Sequence, residues 1–72
     1  MLKQSELKVS DKVCYVASHS EPENGIVKEI LQHTSDAVRV VYNCNNEWER
    51  YQDYTSALTN LRDLKKGWVD NG

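Results

Sequence analysis

Polar and apolar positions alternate most cleanly over residues 36–42, Asp-Ala-Val-Arg-Val-Val-Tyr. A strand sends successive side chains to opposite faces, so Val38, Val40 and Tyr42 share one face and Ala37, Arg39 and Val41 the other. The first set is the natural core face. Val41 also needs cover while Arg39 needs water, which predicts a central strand in a small curved sheet whose outer face is only partly wet.

The rest of the chain can be arranged around that strand. Residues 12–17, Lys-Val-Cys-Tyr-Val-Ala, predict a first strand with Val13 and Tyr15 on one face and Cys14 and Val16 on the other. Ser10-Asp11 supplies a turn before it, and Val9 is expected to tuck under the sheet. Residues 18–25 contain Pro22 and Asn24-Gly25 and predict a hairpin-like connection, the Asn-Gly pair readily taking positive φ. Residues 25–31 are ambiguous by period, because Ile26, Ile30 and Leu31 also suit a helical face. Their β-branched content and shortness favour a second strand. A turn over 32–35 then completes a three-stranded antiparallel meander.

Beyond residue 42 the pattern breaks. Residues 43–50 are a loop that carries Trp48, 54–59 read as a fourth strand, and Asn60 is placed to cap one helical turn across 61–64. Leu61 and Leu64, three apart, should face the core together. Residues 65–69 form a short closing strand with Trp68 or Val69 inward. The predicted organisation is a flexible arm over 1–8, a barrel over 9–69 and a polar end over 70–72, with Leu2 and Leu7 the only clear apolar anchors in the arm.

Length and charge narrow the classes. A chain of 72 residues supports one domain with a modest core. With 39% hydrophobic and 28% charged residues it reads as globular rather than disordered. A formal net charge of -2 argues against a generic phosphate-backbone binder, whose affinity comes from excess Lys and Arg. No apolar run approaches the ~20 residues of a membrane span, and the start lacks the apolar stretch of a signal peptide, so a cytoplasmic location is expected. In that compartment Cys14 and Cys44 are expected as free thiols, Cys14 packed in a strand and Cys44 in an exposed polar loop.

Several strings carry a resemblance. Val9-Ser10-Asp11-Lys12-Val13 is similar to the Val-Gly-Asp-Lys-Val start of SH3-like small barrels such as KOW and Tudor-type modules, and Asn24-Gly25-Ile26-Val27 resembles their Gly-x-Val second strand. Ser10 departs from the usual glycine. More closely, Tyr15-Val16-Ala17-Ser18-His19, Pro22-Glu23-Asn24-Gly25, Val38-Arg39-Val40-Val41-Tyr42 and Ala57-Leu58-Thr59-Asn60-Leu61-Arg62-Asp63-Leu64 look like short uncharacterised proteins of bacteriophages and bacterial mobile elements. The resemblance implies an all-β, five-stranded SH3-like barrel with one helical turn before the last strand. It implies no particular activity, because fold does not dictate function. For a phage product of this size it raises the expectation of a protein that occupies a host factor.

Candidate sites follow from chemistry alone. Trp48, Tyr51 and Tyr54 are interleaved with Glu47, Glu49 and Asp53, a pairing of ring faces and carboxylates that suits a cation or a protein hot spot. The same aromatics also suit covering an open end of the barrel. Arg39, Arg62, Lys65 and Lys66 could form a nucleic-acid patch with Tyr or Trp stacking, against the acidic balance of the chain. Cys14, His19, His33 and Cys44 supply ligand types for zinc but match no common spacing, and no oxyanion hole or phosphate cradle is apparent. The expectation is a non-enzymatic module without cofactor or metal, a monomer or weak homodimer that engages a basic patch on a protein partner. A nucleic-acid-binding barrel is the rival reading.

Overall fold

Within residues 36–42, Ala37–Val41 form the strand that their alternation predicts. In the computed structural model, which describes residues 2–17, 21–42, 44 and 47–68, the chain runs through β1 (Lys12–Tyr15), β2 (Glu23–Ile30), β3 (Ala37–Val41), β4 (Ala57–Asn60) and β5 (Leu64–Lys66). They build one antiparallel sheet in the order β4-β3-β2-β1-β5, with 3₁₀ turns at Gln4–Glu6, Trp48–Asp53 and Leu61–Asp63. The fold is all-β.

Val38 and Val40 are fully buried in a cluster with Leu7, Val13, Val27, Leu61 and Leu64, and Tyr15, Ile30 and Tyr42 pack against it half-buried. Arg39 points the other way, stays exposed and meets Glu29 of β2 at 3.6 Å. The outer face is nonetheless well covered. Cys14, Ile26 and Val41, which alternation places opposite Val13, Val27 and Val40, are buried too. Their cover comes from the 48–53 segment, which packs on β2, and Lys28 fastens it by donating from Nζ to the Tyr54 carbonyl at 2.7 Å.

The ambiguous period of β2 has a structural cause. Its register against β3 shifts between Val27 and Glu29, so Val27 pairs with Val40 and Ile30 with Val38. One extra residue in the strand brings two apolar side chains three apart onto the same face, which is also how a helix spaces them.

Gly25 differs from its expected role. It lies inside β2 opposite Val13 instead of in a turn, and a Cβ there would stand 2.6 Å from Val40 Cγ1 and 2.9 Å from Tyr42 Cδ1. Close approach between strands, rather than positive φ, is what requires glycine at this position. Positive φ occurs instead at Ser10 (82°), where the resembling barrels carry glycine, and at Gly67 (91°) just after β5.

Other expectations shift as well. β1 ends at Tyr15, where its partner β5 begins at Leu64; the Val16 amide still donates in the same register to the Asp63 carbonyl at 2.7 Å. β4 begins at Ala57, since 48–53 is taken up by two 3₁₀ turns around a kink at Arg50. Val9 is 42% exposed rather than tucked under the sheet. Cys44 is 1% exposed rather than displayed, the chain doubling back where the Glu47 amide donates to its carbonyl at 2.8 Å. The arm over 2–8 is part of the packed structure: Leu7 sits in the core, and Gln4 Nε2 reaches the carbonyls of Leu31 and Thr34 at 2.8 Å each and of Ala37 at 3.3 Å. Asn60 does cap the following turn, its side chain accepting from the Arg62 amide at 3.1 Å. His19, Val69 and the end over 70–72 lie outside the described residues.

The turn Leu61–Asp63 dictates the curl of the sheet. It joins β4 to β5, the two outermost strands. In a flat sheet those edges would lie ~19 Å apart, four strand spacings, whereas the four steps from Asn60 to Leu64 span ~15 Å at full extension and ~8 Å as a 3₁₀ turn. The sheet must therefore roll until its edges approach. Among the described residues no ladder joins β4 to β5, so the roll stops short of a closed cylinder and leaves a seam.

Two substitutions test this packing. Gly25→Ala should destabilise the domain by about 1–3 kcal/mol in urea denaturation, the cost of overfilling a packed site. Ser10→Gly should stabilise it by about 0.5–1 kcal/mol, because relief of a left-handed L-residue exceeds the added chain entropy of glycine. An unchanged midpoint in either variant would contradict the close approach at Gly25 or the positive φ at Ser10, respectively.

Candidate functional site

The aromatic and acidic residues of 47–54 do not assemble into one cage. Trp48 is half-buried against Trp68, with ring centroids 4.9 Å apart and planes tilted by 57°. Trp68 donates from Nε1 to the Gly25 carbonyl at 2.7 Å and carries Lys12 Nζ 4.7 Å from its ring centroid. Lys12 alternates with Val13 and so lies on the outer face, which puts the indole pair there as well. A cation thus already occupies the exposed indole, and it belongs to the chain itself.

The remaining members pair off separately. The Tyr54 hydroxyl donates to Glu47 Oε2 at 2.6 Å, and this bond raises the pKa of the phenol above its ordinary value. Asp53 accepts from Arg50 Nε at 3.3 Å. Tyr51 is half-buried and Glu49 exposed, and no ring contact links Trp48, Tyr51 and Tyr54.

The basic residues are dispersed too. Arg39 is committed to Glu29, Arg62 lies 4.0 Å from Asp63, and Lys66 Nζ donates to the Glu6 carbonyl at 3.0 Å. Lys65 is exposed on β5, with β1 and β2 between it and β3. Among the described residues no group of three or more His, Cys, Asp and Glu side chains is placed to hold a metal ion.

A different set of residues does converge. Tyr15, at the end of β1, and Tyr42, just past β3, meet edge-to-face with centroids 6.0 Å apart and planes at 72°. They form the floor of an open groove of about 480 Å³ whose sides are β4 with its exposed Leu58, the 21–23 segment with Glu21 and Glu23, and Asp63. This groove is the seam left where the sheet fails to close. Among the described residues three carboxylates line it and no lysine or arginine does. Glu21 and Glu23 are exposed and have no ion-pair partner among the described residues.

Tyr42 is the fixed point of the groove. Its hydroxyl lies 2.7 Å from Thr59 Oγ1, a bond in which either group can donate, and Thr59 Oγ1 also reaches the Ala57 carbonyl at 3.4 Å. Burial pushes the Tyr42 pKa up to about 12; the Thr59 bond pulls against that rise and the Glu23 charge adds to it. A phenol that holds its proton so firmly serves as neither base nor nucleophile at neutral pH. The groove offers ring faces and carboxylates, the chemistry of holding a cation.

Hydrophobic patterning assigns Tyr15 and Tyr42 to the core face, which is correct, but it hides that both also line a groove. A signal was present: both core-face positions at strand ends carry tyrosine, whose hydroxyl needs a polar partner and so favours the rim of a core. The approach of Glu21, Glu23 and Asp63 to that rim depends on the roll of the sheet and has no local signature.

No protein-family model, curated protein or solved structure matches the chain. Among the described residues no helix is long and apolar enough to cross a membrane.

The state of Tyr42 makes a pH prediction. Unfolded, the phenol releases its proton near 10.0; folded, near about 12. The folded state binds that proton more tightly, so the contribution to stability is complete below the unfolded value and is lost as pH rises through the folded one. The urea midpoint of the wild type should fall more steeply across that interval than that of Tyr42→Phe. Parallel curves would remove Tyr42 as the buried titrating group.

Proposed function

We propose that this protein is a non-enzymatic interaction module that takes a basic segment of a partner protein into the groove between β4 and the 21–23 segment. The observation that carries this reading is the lining of the groove: an edge-to-face tyrosine pair at 6.0 Å beside three carboxylates, of which Glu21 and Glu23 have no ion-pair partner among the described residues. A lysine or arginine side chain gains from both kinds of group at once, from the ring quadrupole and from the carboxylates, each contact contributing ~0.5–1 kcal/mol at an exposed site. The groove is shallow and open, which suits a side chain attached to a larger partner better than a small molecule that must be enclosed.

The order of elements, a meander followed by a 3₁₀ turn into a short last strand, supports counting the module among SH3-like small barrels. Dispersal of Arg39, Arg62 and Lys65, two of the four basic candidates being beside carboxylates, supports the protein partner over a nucleic acid.

Hexalysine serves as a minimal probe. It should shift the ring resonances of Tyr15 and Tyr42, bind more weakly as salt is raised, and lose about tenfold in affinity, roughly 1.4 kcal/mol, in the Glu21→Lys/Glu23→Lys double variant. Ring shifts that survive the double variant unchanged would refute the groove as the site. Binding to an oligothymidylate single strand at low salt, with hexalysine inert, would transfer the protein to the nucleic-acid reading.

A further inference from the structure

The two edges of the sheet are protected differently. β5 ends in Lys65 and Lys66, exposed charges of the kind that discourage another strand from pairing there. β4 reads Ala-Leu-Thr-Asn, with no charge and with Leu58 60% exposed. Its outer edge is unguarded, and it is this edge that borders the groove, since all four β4 residues line it.

The register identifies which backbone groups are free. Ala37 pairs with Asn60, Val38 with Thr59, Arg39 with Leu58 and Val40 with Ala57. The Leu61 amide donates to the Asp36 carbonyl at 2.8 Å, which makes Ala37 and Asn60 a pair that exchanges no hydrogen bonds of its own. Bonded and non-bonded pairs alternate along an antiparallel ladder, so Thr59 and Ala57 spend their backbone groups on β3. The N–H and C=O of Leu58 and the N–H of Asn60 turn outward, while the Asn60 carbonyl heads the following 3₁₀ turn and accepts within it. Two residues apart, the two amides present the repeat to which an added strand bonds.

We infer that β4 is a strand-addition edge: an extended, lysine- or arginine-bearing segment of a protein partner pairs with the backbone of Leu58 and Asn60 and fills the seam as a sixth strand. Main-chain hydrogen bonds supply the docking. Alternate side chains of the added strand then face Tyr15 and Tyr42 or pass beside Glu21, Glu23 and Asp63, and it is the unpaired carboxylates of Glu21 and Glu23 that select a basic segment over an acidic one. This mode rests on the groove reading above and adds to it the conformation and direction of contact of the bound segment.

The probe is an octapeptide of alternating lysine and valine, acetylated and amidated, together with two versions N-methylated at the lysine amides or at the valine amides. Amides of successive residues point to opposite sides of a strand, so methylation of one set blocks the bonding edge and methylation of the other leaves it intact. The expected result is at least tenfold slower amide exchange at Leu58 and Asn60 on saturation, and at least tenfold weaker binding for one methylated peptide but not the other. Leu58→Pro removes an outward N–H that the ladder does not use, so the variant should fold and lose peptide affinity at least tenfold. Because the methylated peptides probe the wild-type chain, the outcome does not depend on that variant folding.

Shifts at Tyr15 and Tyr42 that require Glu21 and Glu23, without protection of Leu58 and Asn60 and with both methylated peptides equivalent, would overturn strand addition and leave the groove standing. An absence of any shift would overturn both. Protection of the same two amides without peptide, growing with protein concentration, would assign the edge to a second copy of the chain and overturn the inference equally.

Discussion

The shortness of the connection between β4 and β5 governs this molecule. Leu61–Asp63 must cross from one edge of a five-stranded sheet to the other, and only a rolled sheet lets three residues do so. The roll brings Leu61 and Leu64 down onto Val13, Val27, Val38 and Val40, so the crossing turn is also the plug of the core. It is held at both ends: the Leu61 amide on the Asp36 carbonyl at 2.8 Å, and the Asp63 carbonyl under the Val16 amide at 2.7 Å. Those bonds fix how far the roll proceeds. The same constraint that creates an inside therefore creates the seam, with tyrosines at its floor and carboxylates along its rim.

A chain of this size has little apolar material to spare, and the outer face shows how it is distributed. Cys14, Ile26 and Val41 are buried there without a second sheet to cover them. The cover is improvised from the 48–53 segment, from the Trp48–Trp68 pair and from Lys12, whose ammonium rests on the indole of Trp68. Aromatic residues in a polar loop look available for a partner, yet in this fold the more accessible indole has an internal cation and a backbone acceptor at Gly25. Their chemistry is that of cation recognition, turned toward the chain's own lysine.

The seam and the cover thus divide the aromatic residues by function. Tryptophans stabilise the outer face, while Tyr15 and Tyr42 pack half-buried against the core and also line the groove. Glu21, Glu23 and Asp63 remain near them uncompensated except for the distant, exposed pairing of Asp63 with Arg62 at 4.0 Å, a contact of small worth in water. Concentrating like charge at an open groove is unfavourable for the isolated domain. In the proposed complex a basic segment offsets that cost.

Strand alternation is a local property of the chain, and it was enough to determine the all-β class, the inward set Val13, Val38 and Val40, the outward Arg39, and the capped turn beginning at Leu61. Each of those depends on neighbours within a few residues. What the tertiary structure decided were the roles that depend on distant partners. Gly25 is a point of close approach to Val40 and Tyr42 rather than a turn, and the helix-like spacing of β2 is a bulge that only pairing with β3 reveals. Trp48 lies twenty positions before the ring it packs on, and Glu21 and Asp63 line one groove although forty-two positions separate them in the chain. Side-chain period reports which way a residue points, but not what stands opposite, because that is set by how far the sheet rolls before a three-residue turn stops it.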